Sequence, residues 1–423
     1  MKERALLVTA DFQSLPRDHE VRDAAAELED LCLSAGLQIT RSLVFRQRAP
    51  QAPLLIGKGK AEEIRALVEK DAADTVVMES ELSSSQQRNL EKLLGAKTID
   101  RTQLILDIFA QRAKSNEGKL QVELAQLKYL LPRLSDKDVE LSRLGGGVGT
   151  RGPGEQKLEV DRRRIRLRIA RLSDELNALQ KRRLAGLEKK KEKDMPLVAL
   201  VGYTNAGKSS VFNRLTGSDA RVKNQLFSTL DTVTRAMELQ ARQKALLVDT
   251  VGFVRHLPHH LVESFKATLE ETVHADLLLH VIDSSRADSA LLEKAVQQVL
   301  EELGAEIKKT LLVYNKIDLV SPERKAAIAR NMPEGAVLVS ALTGQGMEEL
   351  ISKITRTLFP GLYEKEFFLP GDRMGLLDFL YEKTQVLARR DTPDGCYLTV
   401  KLSAKAEETL QKRLTAGKGK LSA

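Results

Sequence analysis

Leu197-Val198-Ala199-Leu200-Val201 runs directly into Gly202-Tyr203-Thr204-Asn205-Ala206-Gly207-Lys208-Ser209, with Ser210 next in line. An apolar strand, a loop bounded by glycines and a Lys-Ser helix start stand in the order a phosphate-binding loop requires. The glycines let successive backbone N–H groups and the helix N-terminus face phosphate oxygens. Lys208 can then reach the β- and γ-phosphates, and Ser209 can offer its hydroxyl to Mg²⁺. Residues Gly202 to Ser210 are therefore the expected nucleotide contacts, and Lys208 is the expected catalytic cation. The fold implied is α/β, with a nucleoside triphosphate at the carboxyl edge of a mostly parallel sheet.

The base is read from a later stretch. Thr310-Leu311-Leu312-Val313-Tyr314 leads into Asn315-Lys316-Ile317-Asp318. A carboxylate at the end of that strand can accept both the N1–H and the N2–H₂ of guanine, while Lys316 lies flat against the ring. Adenine would leave the carboxylate desolvated and unpaired, a mismatch that discriminates by about 10⁴ or more. Ala336-Val337-Leu338-Val339 then precedes Ser340-Ala341-Leu342-Thr343-Gly344, whose N–H groups are expected to meet guanine O6.

Between these two motifs, Ala245-Leu246-Leu247-Val248 precedes Asp249-Thr250-Val251-Gly252. Asp249 is placed to act beside Mg²⁺, and the Gly252 N–H beside the γ-phosphate. Upstream, Phe227-Ser228-Thr229-Leu230-Asp231 occupies the position of a switch loop, so Phe227 is expected near the nucleotide and Thr229 is the expected third metal ligand. Thr232 and Thr234 are the alternatives. Ras-like enzymes follow the glycine with a glutamine that orients the attacking water, but here Phe253 stands there. Intrinsic hydrolysis is then expected to be slow, with the missing group coming from another loop, a cation or a partner. Asn205 resembles the loop asparagine by which some GTPases bind K⁺ beside the phosphates; the alternative is a tolerated loop residue.

Three further stretches lie upstream: Ile56-Gly57-Lys58-Gly59-Lys60, Asp100-Arg101-Thr102-Gln103-Leu104-Ile105-Leu106-Asp107-Ile108-Phe109, and Gly145-Gly146-Gly147-Val148-Gly149-Thr150-Arg151-Gly152-Pro153-Gly154-Glu155. Together with Phe227 to Asp231 and Asp249 to Pro258, they resemble the HflX family of bacterial ribosome-associated GTPases over almost the whole chain. The chain departs from the family pattern at Gln156-Lys157-Leu158-Glu159, where the family carries a small hydroxyl residue and then Gln-Leu-Glu. The resemblance implies hydrolysis of GTP to GDP and phosphate. It also implies a GTP state that docks an N-terminal hairpin on the large ribosomal subunit and its rRNA, separating subunits or keeping them apart in stalled or idle ribosomes. Two alternatives stay open: a regulatory GTPase acting on another RNA or an RNA-modifying partner, and a nucleotide-gated RNA-remodelling protein.

The charge distribution bears on the partner. Residues 151–194 hold 15 Lys+Arg against 8 Asp+Glu, a net of +7 out of +8 for the chain. Leu158, Ile165, Ile169, Leu172, Leu176 and Leu179 follow helical spacing through this segment, so the positive charge lies on one long helix. That density fits RNA phosphates; a merely solvated helix face is the alternative. Aromatic residues make up 4% of the chain and Trp is absent, which argues against base stacking as the main mode of contact.

The 423 residues suggest about three domains. No apolar run reaches the ~18 residues of a membrane span, and Met1-Lys2-Glu3-Arg4 leads into a strand. A cytoplasmic monomer is expected, with peripheral attachment to a membrane as the alternative location. Cys32 and Cys396 are expected to be idle thiols. Short strands alternating with helices over 1–112 predict a small α/β domain. Residues 113–194 predict a helical hairpin around a glycine-rich loop, with Leu120, Leu124, Leu127 and Leu131 on the first arm and a second arm from Glu155 to about Leu184. Residues 195–360 predict the GTPase domain. Residues 361–423 predict a small α/β appendage with a helix over Met374 to Ala388, a strand over Cys396 to Leu402 and a helix over Ala404 to Leu414.

Overall fold

The structure is a computed structural model that describes residues 2–14, 21–134, 153–191, 195–218, 226–227, 232–255, 271–305, 308–361 and 363–415. The chain packs as two compact units. The first comprises Met1–Gly186 together with Lys223–Asp231 and Val251–Leu269; the second comprises Leu187–Val222, Thr232–Thr250 and Glu270–Ala423.

The first unit begins with a parallel sheet in the order β2-β1-β3-β4, formed by β1 (Arg4–Phe12), β2 (Gln38–Gln47), β3 (Thr75–Met78) and β4 (Lys97–Asp100). Helices α1 (Val21–Ser34), α2 (Lys58–Asp71) and α3 (Ser84–Leu94) connect the strands. Ser83 and Gln86 form a reciprocal capping box that starts α3, and Gly95 ends it in the left-handed conformation that glycine adopts without steric cost. Leu6, Val8, Ile56, Ile64, Val76 and Leu90 lie wholly buried between sheet and helices. Helix α4 (Arg101–Arg112) follows β4 without a loop, capped by the side chain of Asp100.

Next come α5 (Asn116–Arg133) and α6 (Pro153–Lys191). Of the predicted stripe, Leu172 and Leu176 are buried against Leu124, with Leu120, Leu127 and Ile169 around them; Ile165 and Leu179 are half-buried outside this cluster, and the side chain of Leu158 lies outside the described residues. Glu123 takes a two-pronged contact from Arg168, at 2.7 and 2.8 Å. Helix α6 is longer than expected at both ends, and its 39 residues measure about 58 Å. The glycine-rich loop from 145 to 152 lies outside the described residues.

In the second unit, β5 (Leu197–Gly202), β6 (Val233–Glu238), β7 (Lys244–Asp249), β8 (Leu277–Asp283), β9 (Thr310–Asn315) and β10 (Val337–Leu338) form one sheet in the order β10-β9-β8-β5-β7-β6. All neighbours are parallel except the edge pair β6–β7. Strand order reverses at β5, where the chain turns to opposite sides of the sheet and leaves a crevice at the carboxyl ends. Helices α7 (Lys208–Thr216), α8 (Ser289–Glu302), α9 (Pro322–Asn331) and α10 (Met347–Leu358) complete this layer.

The C-terminal part corrects one expectation. Residues 374–388 are not one helix: a 3-10 turn runs to Leu376, α11 covers Leu377–Lys383, and the chain then enters β12 (Gln385–Thr392). The helix stops at Thr384, which is extended, and Pro393-Asp394 turns the chain back to Gly395. That turn pairs β12 with β13 (Gly395–Leu402), which also pairs with β11 (Tyr363–Pro370), giving a three-stranded antiparallel sheet packed on α12 (Ala404–Thr415). Cys32 and Cys396 are both buried free thiols. Burial pushes the Cys32 thiol up to about 12, so it stays protonated. Among the described residues no helix is long and apolar enough to cross a membrane.

Candidate nucleotide-binding site

The crevice at β5 is built from backbone shapes that admit few residue types. Gly202 has φ +148°, and a Cβ there would stand 2.3 Å from the Val281 carbonyl oxygen. Gly207 has φ +92°, and a Cβ there would stand 2.2 Å from Asn315 Nδ2. Asn205 is exposed with φ +61°, a left-handed conformation that asparagine tolerates better than most residues. The loop is thus a fixed cradle, with Tyr203, Thr204 and Ala206 buried beneath it.

Lys208 is buried, and its Nζ donates to the carbonyls of Gly202 (3.1 Å) and Tyr203 (2.9 Å). Burial lowers its ammonium to about 8, against the opposing pull of Asp249. A bound triphosphate surrounds the ammonium with negative charge and returns it toward its ordinary 10.5. Binding in that window therefore takes up a proton, so nucleotide affinity should fall as pH rises above 8, by up to about tenfold per pH unit. Fluorescent-nucleotide titrations from pH 7 to 9.5 check this; a flat profile would mean that the free lysine keeps its charge throughout.

Ser209 and Asp249 meet as a metal pair should. The Ser209 hydroxyl donates to Asp249 Oδ2 at 2.7 Å, and Asp249 is buried at the end of β7. Thr250 fastens the following turn by donating to the Leu200 carbonyl at 2.6 Å. An alcohol and a buried carboxylate beside a phosphate cradle suit Mg²⁺, which favours oxygen ligands. Ser210 continues α7 one residue on.

The guanine loops converge on Asn315. Its Nδ2 donates to the Ala206 carbonyl (3.0 Å) and its Oδ1 accepts from the Ala341 N–H (3.1 Å), so one amide ties the phosphate loop to the turn after β10. The Ala341 N–H is thereby engaged within the protein. Lys316, at φ +62°, is held by Asp283 Oδ2 at 2.7 Å. Asp318 is exposed, and its Oδ1 accepts from Ser340 Oγ at 2.6 Å, which leaves Oδ2 for a ligand.

Two residues expected at the nucleotide, Phe227 and Gly252, group with the first unit. The Phe227 ring meets Phe109 edge-on at 4.6 Å and is 1% exposed. Phe253 is buried as well. Thr229 lies outside the described residues; Thr232 is described, and its buried hydroxyl has no partner among them.

Strand β8 was not anticipated. It supplies Asp283 as the anchor of Lys316, and it carries buried His280, whose imidazole is pulled down to about 4 by burial. Leu277-Leu278-Leu279-His280-Val281-Ile282 ending in Asp283 repeats the apolar-run-then-aspartate pattern of β7, which was the available signal.

Family profiles match the chain in four consecutive stretches: the GTP-binding GTPase N-terminal region over residues 22–110, the GTP-binding GTPase middle region over 112–190, the 50S ribosome-binding GTPase over 197–316 and the HflX C-terminal domain over 324–422. GTPase HflX of Caldanaerobacter subterraneus subsp. tengcongensis is 44% identical over 97% of this chain and 93% of its own length. The chain belongs to the HflX family of GTPases. GTPase HflX of Escherichia coli is likewise 44% identical, over 90% of this chain and 88% of its own. Among solved structures, the complex of SsGBP with GDP is 27% identical and covers 84% of this chain and 98% of its own, at a TM-score of 0.45. As a member of the HflX family the chain binds GTP and GDP and hydrolyses GTP to GDP and phosphate.

Proposed function

We propose that this GTPase works on the large ribosomal subunit, with the α5–α6 hairpin as the rRNA-facing arm and the GTP state separating subunits or keeping them apart. The observation that carries the reading is the exposed basic face of α6. Arg163, Arg164, Arg166 and Arg171 are exposed along the helix whose Ile169, Leu172 and Leu176 pack on α5. Such a face attracts phosphate through counterion release and needs no base contact. In this reading the segment 1–112 carries the arm, 113–194 is the arm, 195–360 turns over GTP, and 361–423 is an appendage on the GTPase segment.

Purified large subunits test the reading. Turnover should rise by about 10² or more when they are added, because Phe253 offers no group to orient water and the partner must supply one. Equal turnover with and without subunits would sink it. Replacing Arg162, Arg163 and Arg164 by Gln should weaken subunit binding and flatten the salt dependence by about two to three log units per log unit of salt. An unchanged slope would mean that these arginines face water only.

In the nucleotide site, Ser209, Asp249 and Thr229 would hold Mg²⁺, which would supply positive charge to neutralise the phosphates. In this reading Asn205 helps hold a K⁺ ion that adds to that neutralisation. Hydrolysis should then run about tenfold faster in K⁺ than in Na⁺ at equal ionic strength; equal rates would remove the monovalent ion from the mechanism.

A further inference from the structure

The first unit holds two stretches that follow the phosphate loop in sequence, and it holds them with the same two helices. On α1, Asp23, Glu27 and Ser34 recur at helical spacing on one face. Asp23 lies 3.9 Å from Arg255, Glu27 pairs with Arg101, and the Ser34 hydroxyl accepts from the Leu226 N–H at 2.9 Å. On α4, Arg101 donates to the Arg255 carbonyl at 2.7 Å, and Phe109 meets Phe227. Phe227 sits at φ +54°, a strained conformation for an aromatic residue that its packing must maintain. The stretch 251–255, which contains Gly252 and ends at buried Arg255, is thus tied to the first residue of α4.

The residue immediately before Arg101 faces a different partner. Asp100 is 1% exposed and gathers donors from four places. The Gln103 N–H donates to its Oδ1 at 2.8 Å and the Leu82 N–H to its Oδ2 at 3.1 Å. The other two donors come from the last turns of α5: Tyr129 Oη at 3.1 Å from both carboxylate oxygens and Arg133 Nη2 at 3.1 Å from Oδ2. The Arg133 guanidinium also stacks on the Tyr129 ring at 3.4 Å and donates to the Leu82 carbonyl at 2.7 Å. Burial beside Asp100 raises the Tyr129 phenol further above its ordinary range, so it remains a donor.

We propose that Asp100 and Arg101 form a two-sided latch, Asp100 gripping the hairpin helix α5 and Arg101 gripping the stretch after Gly252, so that movement of the hairpin is passed to that stretch across one peptide bond. Arg101 is then a positioning residue for hydrolysis: it acts by fixing the backbone that carries the Gly252 N–H. Asp100 caps α4 with the same carboxylate that holds Tyr129 and Arg133. A shift of α5 therefore either drags the α4 start with it or breaks a buried hydrogen-bond set, and neither leaves Arg101 where it was. The latch rests on the GTPase activity; only the source of the hairpin's movement rests on the proposed contact with rRNA.

The test uses the full chain with GDP bound and no ribosome, so it stands apart from the fate of the ribosomal reading. Hydrogen exchange is followed at the amides of 251–255 in Tyr129→Phe and in Tyr129→Phe/Arg133→Gln, both changes lying on the hairpin side. Exchange at 251–255 should rise by about tenfold in the double variant and by less in the single one, which loses only a hydroxyl. Faster exchange in α5 with unchanged exchange at 251–255 would overturn the latch, in the single variant alone should the double one fail to fold. In Arg101→Ala, kcat for GTP should fall about tenfold with KM within about twofold, since positioning acts on the chemical step. Arg101→Lys should recover little, because the shorter lysine side chain places its ammonium short of the point from which Arg101 Nη2 donates to both Glu27 and the Arg255 carbonyl. A rise in kcat, or a loss confined to KM, would overturn the positioning role.

Discussion

Asp318→Asn should lower affinity for GTP by about 10⁴-fold while raising affinity for xanthosine triphosphate, so that the preference between the two nucleotides inverts. Ser340 Oγ donates to Asp318 Oδ1, so the amide that replaces the carboxylate is expected to keep its oxygen toward Ser340 and turn its nitrogen to the base. That nitrogen would meet the N2–H₂ of guanine donor to donor, whereas xanthine presents an oxygen at the same place. Competition binding with the two triphosphates measures the inversion. A variant that still prefers GTP would remove Asp318 from base recognition and leave Lys316 and the turn after β10 to carry it.

The second large effect is expected at Lys208→Met, where turnover should fall about 10³-fold or more because the loop loses the cation placed for the phosphates. Stability should move the other way. Burial already disfavours the Lys208 charge, as its value of about 8 records, and methionine fills similar space without needing the carbonyls of Gly202 and Tyr203. The melting temperature of the nucleotide-free variant should therefore be unchanged or higher. Single-turnover hydrolysis and thermal unfolding, measured side by side, separate the two effects. A variant that is both inactive and markedly less stable would mean that Lys208 holds the loop together and that lost turnover is no measure of its chemistry.

The nucleotide site could be read from sequence where backbone shape dictates residue type. Gly202 and Gly207 leave no space for a Cβ, and Asn315 must be an amide to donate to Ala206 and accept from Ala341 at once. The stripe from Ile169 to Leu176 was equally legible, because a helix with one covered side forces that spacing. Strand β8 was passed over because seven buried residues in the middle of a sheet show no alternation. Strand β12 failed for the opposite reason: most of its residues are exposed, so the helix-forming stretch before it had nothing to mark where it stopped. The partners of Phe227 and Arg255 could not be read at all, since their attachment to α1 and α4 depends on faces brought together only by folding.

The pairing of Arg101 with the Arg255 carbonyl spans 154 residues, and that separation has a cost in time. A chain emerging at about 5–20 residues per second completes α4 about 7–29 s before Arg255 is made. During that interval the first strands and helices are already present, and Glu27 is available to neutralise Arg101. Phe109, however, must wait for Phe227 with its ring edge uncovered. Vectorial synthesis therefore passes through a stage in which the N-terminal sheet has formed but an apolar patch on α4 is open. Slowing translation within residues 113–226 would lengthen that exposure without altering a single contact in the finished molecule.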